Sequence, residues 1–350
     1  MESFVRKGRG AANNEVGRFE KQKIEYERTD DGIDAPGPRT VFYEDNSKSI
    51  LSRNDSPDLG FSIGINPYRG CEHGCIYCYA RPTHEYLGFS AGIDFETKIM
   101  VKTNAPQLLR KELMSRNYQP DTIIVSGNTD CYQPAEKKFR ITRRILQVLS
   151  EFQNPFGIIT KNHLVTRDID IIAPMSVLQI AAVSVSVTTL DAELSGLMEP
   201  RASRPKLRLQ TIRELAEAGI SVGVNVAPVI PGLTDHEMPH IMEEAKKAGA
   251  THAGFTVVRL PYSVKDLFQE WIGHHYPHRK NKILNRIKDM RGGKMYNAEF
   301  GSRMHGEGEF AELVATMFRR YCREFGFNET SRRLSTKHFR RLGNQLPLFG

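Results

Sequence analysis

The chain has 350 residues, 39% of them apolar, and carries 49 Lys plus Arg against 41 Asp plus Glu for a net charge of +8. That length buries a sizeable core, as one large α/β domain with extensions or as two smaller domains. Five cysteines, an odd number, and a charged start without an apolar h-region argue against a secreted disulfide framework and predict a cytoplasmic protein. The charge is unevenly placed. Residues 262–350 hold 17 Lys plus Arg against 9 Asp plus Glu, whereas residues 1–261 hold 32 of each. A basic end on a neutral body favours a polyanion partner, nucleic acid above all, over a merely solvated helical face.

In chain order, residues 1–55 form an N-terminal extension that is charged, rich in Gly and Asn and poor in apolar periodicity. At least the first twenty or so are expected to lack fixed structure. The apolar stretch FSIGI at residues 61–65 then leads through a glycine-bearing loop into CEHGCIYC, with Cys71, Cys75 and Cys78 inside eight residues. A [4Fe–4S] cube normally takes four thiolates, so three at this spacing leave one iron open to a chelating ligand. Zinc held by the same cysteines with His73 is the alternative, but structural zinc sites draw on two separated pairs and no second pair follows. Inert buried thiols do not explain a cluster on a glycine-flanked loop.

Short apolar runs recur at Ile63 and at residues 122–125, 157–160, 180–190, 220–230 and 252–260, with helical spacing between most of them. Helices are clearest at 104–117, 135–152, 204–219 and 235–249, the last two ending at glycine. Residues 171–190 carry no charge and are long enough to span a bilayer, yet they contain Pro174, Gln179 and several hydroxyls and end in the alternating AAVSVSVTTL. They are read as a loop followed by a buried strand, with no membrane contact. Six strands joined by crossovers predict a parallel sheet with its active site at the C-terminal strand ends. Spacing leaves open an eight-stranded barrel, a doubly wound sheet or a partial barrel.

The CxxxCxxC spacing with Tyr77 before the last cysteine resembles the radical S-adenosylmethionine (SAM) superfamily. The resemblance implies a partial (β/α)6 barrel over residues 56–261 with the cluster loop after its first strand. A basic, mainly helical C-terminal region would follow at 262–344. The implied cofactors are a [4Fe–4S] cluster on Cys71, Cys75 and Cys78 and SAM on its open iron, cleaved to a 5′-deoxyadenosyl radical that takes hydrogen from a substrate. Gly70 and Gly74 would let loop amides turn toward the cluster. An electron donor such as flavodoxin or ferredoxin is implied as well.

At the strand ends, SGNTD offers Thr129 and Asp130 for the SAM ammonium and ribose, and Lys161 suits its carboxylate. Ser186 and Tyr77 join them as cofactor contacts, with Ser186 and Thr188 on one strand face, Thr189 on the other, and Glu199 and Arg201 following. PVIPGLTD resembles the superfamily's adenine-binding pattern, with Pro228 in the first glycine's place, Ile230 as the apolar wall, and Asp235 where a glutamate stands; Asp235 reads equally as a helix N-cap.

Within the superfamily, residues 66–261 are similar to spore photoproduct lyase and its relatives, through Tyr77 and Tyr79, Asp130, Lys161, Glu199–Pro200 and the run Val226, Ala227, Pro228. This implies a DNA repair reaction in which a cysteine returns hydrogen with tyrosines assisting. The lyase's donor cysteine falls at Gly127 here, so Cys131, four residues on, is the candidate donor and Tyr79 its assistant, while Cys322 is assigned to the core. The segment with Arg81, His84 and Tyr86 also departs from the lyase. The C-terminal Gln345, Leu346, Leu348 and Phe349 resemble the pentapeptide that docks repair proteins on the sliding clamp. Two further readings remain, a radical SAM enzyme on RNA, peptide or metabolite, and a non-catalytic iron–sulfur adaptor on the clamp.

Overall fold

The computed structural model of the chain describes residues 6–19, 39–330 and 333–342. Six parallel strands, Ile63–Ile65, Ile123–Val125, Phe156–Thr160, Ala181–Val187, Ser221–Val229 and His252–Val257, lie side by side in sequence order. Leu51–Arg53 closes one edge antiparallel to the first. A doubly wound sheet reverses its strand order at a switch point; this one never reverses, and its first and last parallel strands do not pair. The architecture is therefore a partial (β/α)6 barrel. Its fourth strand, AAVSVSV, is buried at every position, because helices cover one face and the barrel interior the other.

Packing overrides the sequence expectation at two places. Residues 169–177 are a helix rather than a loop, Ile169–Val177 with Pro174 inside, burying Ile172, Met175 and Ser176. The proline removes one backbone bond, which burial of an apolar face offsets. The predicted helix at 135–152 is broken by Arg140 at φ +51°, giving Ala135–Phe139 and Ile141–Glu151. The buried Glu136 carboxylate accepts the amides of Thr142 at 3.0 Å and Arg143 at 3.3 Å, and so caps the second helix from the end of the first.

The N-terminal segment departs most from expectation. Residues 6–19 are not without structure; they lie along the cysteine loop, where the Gly10 and Ala11 amides donate to the buried Glu96 carboxylate at 3.0 and 2.8 Å. Composition gave no sign of this, since the partner lies far along the chain. A smaller sheet of Val41–Glu44, Lys98–Val101 and Tyr68–Arg69 sets the direction from which the chain enters the loop at Cys71.

Beyond residue 261 come Val264–His275, Lys280–Asp289, Ser302–His305 and Glu309–Glu324. They are not a detached tail. Leu267 and Trp271 share an apolar cluster with Cys75, Ile76 and Tyr77, and Val314 and Cys322 join the main barrel core. Among the described residues no helix is long and apolar enough to cross a membrane. The tail residues Gln345, Leu346, Leu348 and Phe349 lie outside the described residues.

Candidate active site

The cysteine loop follows the first barrel strand at the C-terminal edge of the sheet. Gly74 takes a left-handed turn at φ +69°, and a Cβ there would approach the Glu96 carboxylate to 2.7 Å. The loop is pinned on its outer side by Arg81, which is fully buried. A guanidinium has five N–H donors, and Arg81 uses all of them, on the carbonyls of Cys75, Ala91, Gly92 and Gly74 and on Glu96 Oε1. Glu96 in turn receives the N-terminal segment, and a Cβ on Gly10 would come within 1.7 Å of the Gly74 carbonyl oxygen. Only glycine permits that approach.

Cys71, Cys75 and Cys78 are free thiols, the first two buried. Burial pushes all three up from the ordinary thiol range. Three soft sulfur donors on one loop, without a disulfide, fit a thiolate-ligated cluster in number and kind. Among the described residues no group of three His, Cys, Asp or Glu side chains is placed so as to hold a metal ion. His73, the fourth ligand of the zinc alternative, is spent elsewhere. Its Nδ1 is 3.4 Å from Asp130 Oδ2 and its Nε2 3.1 Å from Asn162 Nδ2, and burial pulls its pKa down to about 4.

On the inner side the loop meets a second buried carboxylate, Glu199. The Tyr77 hydroxyl and Arg208 Nη2 donate to it, Thr188 Oγ1 donates at 2.8 Å, and Lys161 Nζ stands 3.8 Å away while donating to the Ala227 carbonyl at 3.1 Å. Burial, ahead of the neighbouring charges, brings Lys161 down to about 8. The same cause raises Glu199 above the ordinary carboxylate range, against the pull of Arg208. Thus Lys161, Tyr77 and Thr188, from three separate parts of the sequence, converge at the strand ends. Ser186, one turn of pleat away, lends its carbonyl to Arg208 at 3.1 Å.

Other candidate residues have their polar atoms engaged by the protein itself. Asp130 accepts from Thr160 Oγ1 and the Lys161 amide, both at 2.7 Å, and from the Tyr132 amide at 2.9 Å. The Thr129 hydroxyl donates to the Tyr68 carbonyl at 2.9 Å. Ile230 is buried in the apolar cluster that includes Cys75 and Tyr77, and Asp235 accepts the Gly232 amide at 3.0 Å, bracing that turn. Cys131 is completely buried in the main core with its sulfur 4.0 Å from the Val125 carbonyl oxygen. The accessibility expected of a hydrogen donor is missing, because the loop turns this side chain toward the barrel wall. Tyr79 stands at the rim, its hydroxyl on the Gly127 carbonyl and Arg259 5.2 Å above its ring.

Three participants escaped sequence reading. Asn66 Oδ1 accepts the amides of Gly127, Asn128 and Thr129 at 3.1, 2.8 and 3.3 Å and so ties the second strand's loop to the first strand. Arg81 gave no signal beyond its charge. Arg208 did, since it shares a helix face with Thr211, Ile212 and Leu215, all buried, and a charge at i, i+3, i+4 and i+7 spacing on an apolar face needs a buried partner.

Residues 65–245 match the radical SAM superfamily. The chain belongs to that superfamily. A relative from Mycobacterium tuberculosis, described only as an uncharacterized protein, is 36% identical over 253 residues, 71% of this chain and 73% of its own. A "Radical SAM Nalpha-GlyT isomerase" of a Pseudomonas phage is 24% identical over 65% of this chain and 45% of its own length. Spore photoproduct lyase, solved in complex with dinucleoside spore photoproduct, superposes with a TM-score of 0.56 at 17% identity over 82% of this chain and 80% of the lyase. At that identity the lyase establishes a shared radical SAM fold. The protein is thus a radical SAM enzyme with a partial barrel like that of the lyase.

Proposed function

We propose that this enzyme holds a [4Fe–4S] cluster on Cys71, Cys75 and Cys78, binds SAM against Lys161 and the Tyr77–Thr188 side of the Glu199 network, and acts on DNA in a photoproduct lyase-like repair reaction. The observation that carries the reading is the convergence of three free thiols on one loop with a partly exposed lysine and hydroxyls at the same strand ends. Bound there, the cluster and SAM would supply a 5′-deoxyadenosyl radical. The residues' own work is to orient. Arg81 and Glu96 hold the loop, Lys161 offers its ammonium to a carboxylate, and Glu199 keeps that ammonium and the Tyr77 hydroxyl in place. The lyase's complex with a dinucleoside lesion and the basic C-terminal helices support DNA over other substrates. An electron donor such as flavodoxin and a sliding clamp docked by the C-terminal tail complete the proposal. Anaerobic reconstitution, an iron and sulfide assay and 5′-deoxyadenosine measurement with and without irradiated DNA test it. Deoxyadenosine release that irradiated DNA does not change rejects the substrate; no release at all rejects the SAM chemistry.

The buried Cys131 favours a second reading, a rearrangement that closes without a protein thiol, in keeping with the isomerase named among the relatives. Cys131→Ser separates the two. Turnover within about twofold of the wild type supports the thiol-free route, whereas accumulation of abortive products restores Cys131 as donor.

A further inference from the structure

Among the described residues Phe19 at 61%, Tyr86 at 70% and Tyr262 at 56% exposure gather around one guanidinium, and Tyr79 at 42% is exposed beside Arg259, three residues before Tyr262. Two arginines interleave with them. Arg259 stands 5.2 Å over Tyr79 at the barrel mouth. Three residues on, Tyr262 carries Arg18 at 3.8 Å from its ring centre, and the same guanidinium lies 5.2 Å from Phe19 and 5.7 Å from Tyr86. Phe19 and Tyr86 are themselves 5.3 Å apart. A tie between Arg18 and Glu85, which also accepts from Ser263 Oγ at 3.2 Å, fixes the outer group to the chain beside Tyr262.

Rings this exposed lose little by staying in water one at a time, but a group of them gathered together is costly and marks a contact surface. Alternation with arginine selects the partner. Nucleobases stack on aromatic faces and on guanidinium planes regardless of sequence, and Arg18, held by Glu85, presents such a plane among the rings. The geometry points to a stacking track, running from Tyr79 and Arg259 at the mouth outward over Tyr262, Arg18, Tyr86 and Phe19, that holds unpaired nucleotides flanking the residue under reaction. This rests on the nucleic-acid reading above and goes beyond it by naming the strand's path and its single-stranded form.

The test uses the full-length protein and a fluorescent oligo-dT strand, with a duplex of equal length as control, titrated by anisotropy over a range of salt. Truncating both outer rings, Tyr86→Ala with Tyr262→Ala, should weaken single-strand binding by about tenfold or more, since each stacked base contributes about 1–3 kcal/mol. The slope of affinity against salt should stay unchanged, because no phosphate contact is removed. Tyr86→Phe with Tyr262→Phe should restore binding, and circular dichroism of the alanine pair should match the wild type. Full affinity in the alanine pair overturns the track alone. Failure of the wild type to bind either oligonucleotide overturns the nucleic-acid reading and the track with it. Unchanged oligonucleotide binding with a smaller species in sedimentation assigns the rings to a protein contact and also overturns the proposal.

Discussion

Two buried arginine–glutamate pairs flank the cysteine loop, Arg81–Glu96 outside it and Arg208–Glu199 inside it, and they are built for different ends. The outer pair is closed. Every Arg81 donor is used, and Glu96 takes Arg81 and two backbone amides. The inner pair is open on one side, where Glu199 is shared with Tyr77, Thr188 and the partly exposed Lys161. A saturated network fixes backbone, whereas one that ends in a cation with part of its surface open can still meet a ligand. The same two residue types thus separate scaffold from site by how many of their bonds are already spent.

The largest expected effect breaks the outer pair. Arg81→Leu should cost about 3–5 kcal/mol in urea unfolding, because Glu96 is left as a buried charge. Arg208→Leu should cost less, since Lys161 still faces Glu199, and equal losses would erase the distinction. Next, Lys161→Met should weaken SAM binding by about 10–100-fold, the worth of one charged hydrogen bond, as read by calorimetry on cluster-loaded protein, with unfolding changed little. Gly10→Ala pushes a methyl into the Gly74 carbonyl and should cost about 1–3 kcal/mol by overpacking, lowering iron retention without touching any inner-network residue.

The smallest effect belongs to a peripheral pair, Arg303 with Asp58, bonded at 2.6 and 2.7 Å. Hydrogen bonding to Arg303 holds the Asp58 carboxyl below its usual range. A depressed carboxylate stabilises the fold above its unfolded pKa of about 3.9 and loses that contribution as pH falls toward the folded value. Asp58→Asn should therefore cost up to about 1 kcal/mol at pH 7, and unfolding curves of the two proteins should converge in acid.

The strands and the cysteine loop were legible because alternating apolar residues and clustered thiols leave local signatures. Lys161 was legible as a lysine ending an apolar run. Arg81 and Glu96 were not, since isolated charges read as surface and their meaning lies in carbonyls and amides brought from residues 10, 11 and 74. The helix at residues 169–177 was hidden by Pro174, and the burial of Cys131 by a loop whose preceding residues, Gly127 to Thr129, are held by Asn66 from the first strand's end. Local pattern reveals what a segment can bury; it does not reveal which distant backbone groups will claim a charge.

The clasp of Gly10 over Gly74 has a practical outcome for anyone purifying the enzyme. A preparation clipped after residue 19 loses the two backbone amides that Gly10 and Ala11 donate to Glu96, leaving that carboxylate with Arg81 alone beside the loop that carries the three thiols. Under the proposed cluster assignment, material clipped in this way should lose its colour in air sooner than the intact protein.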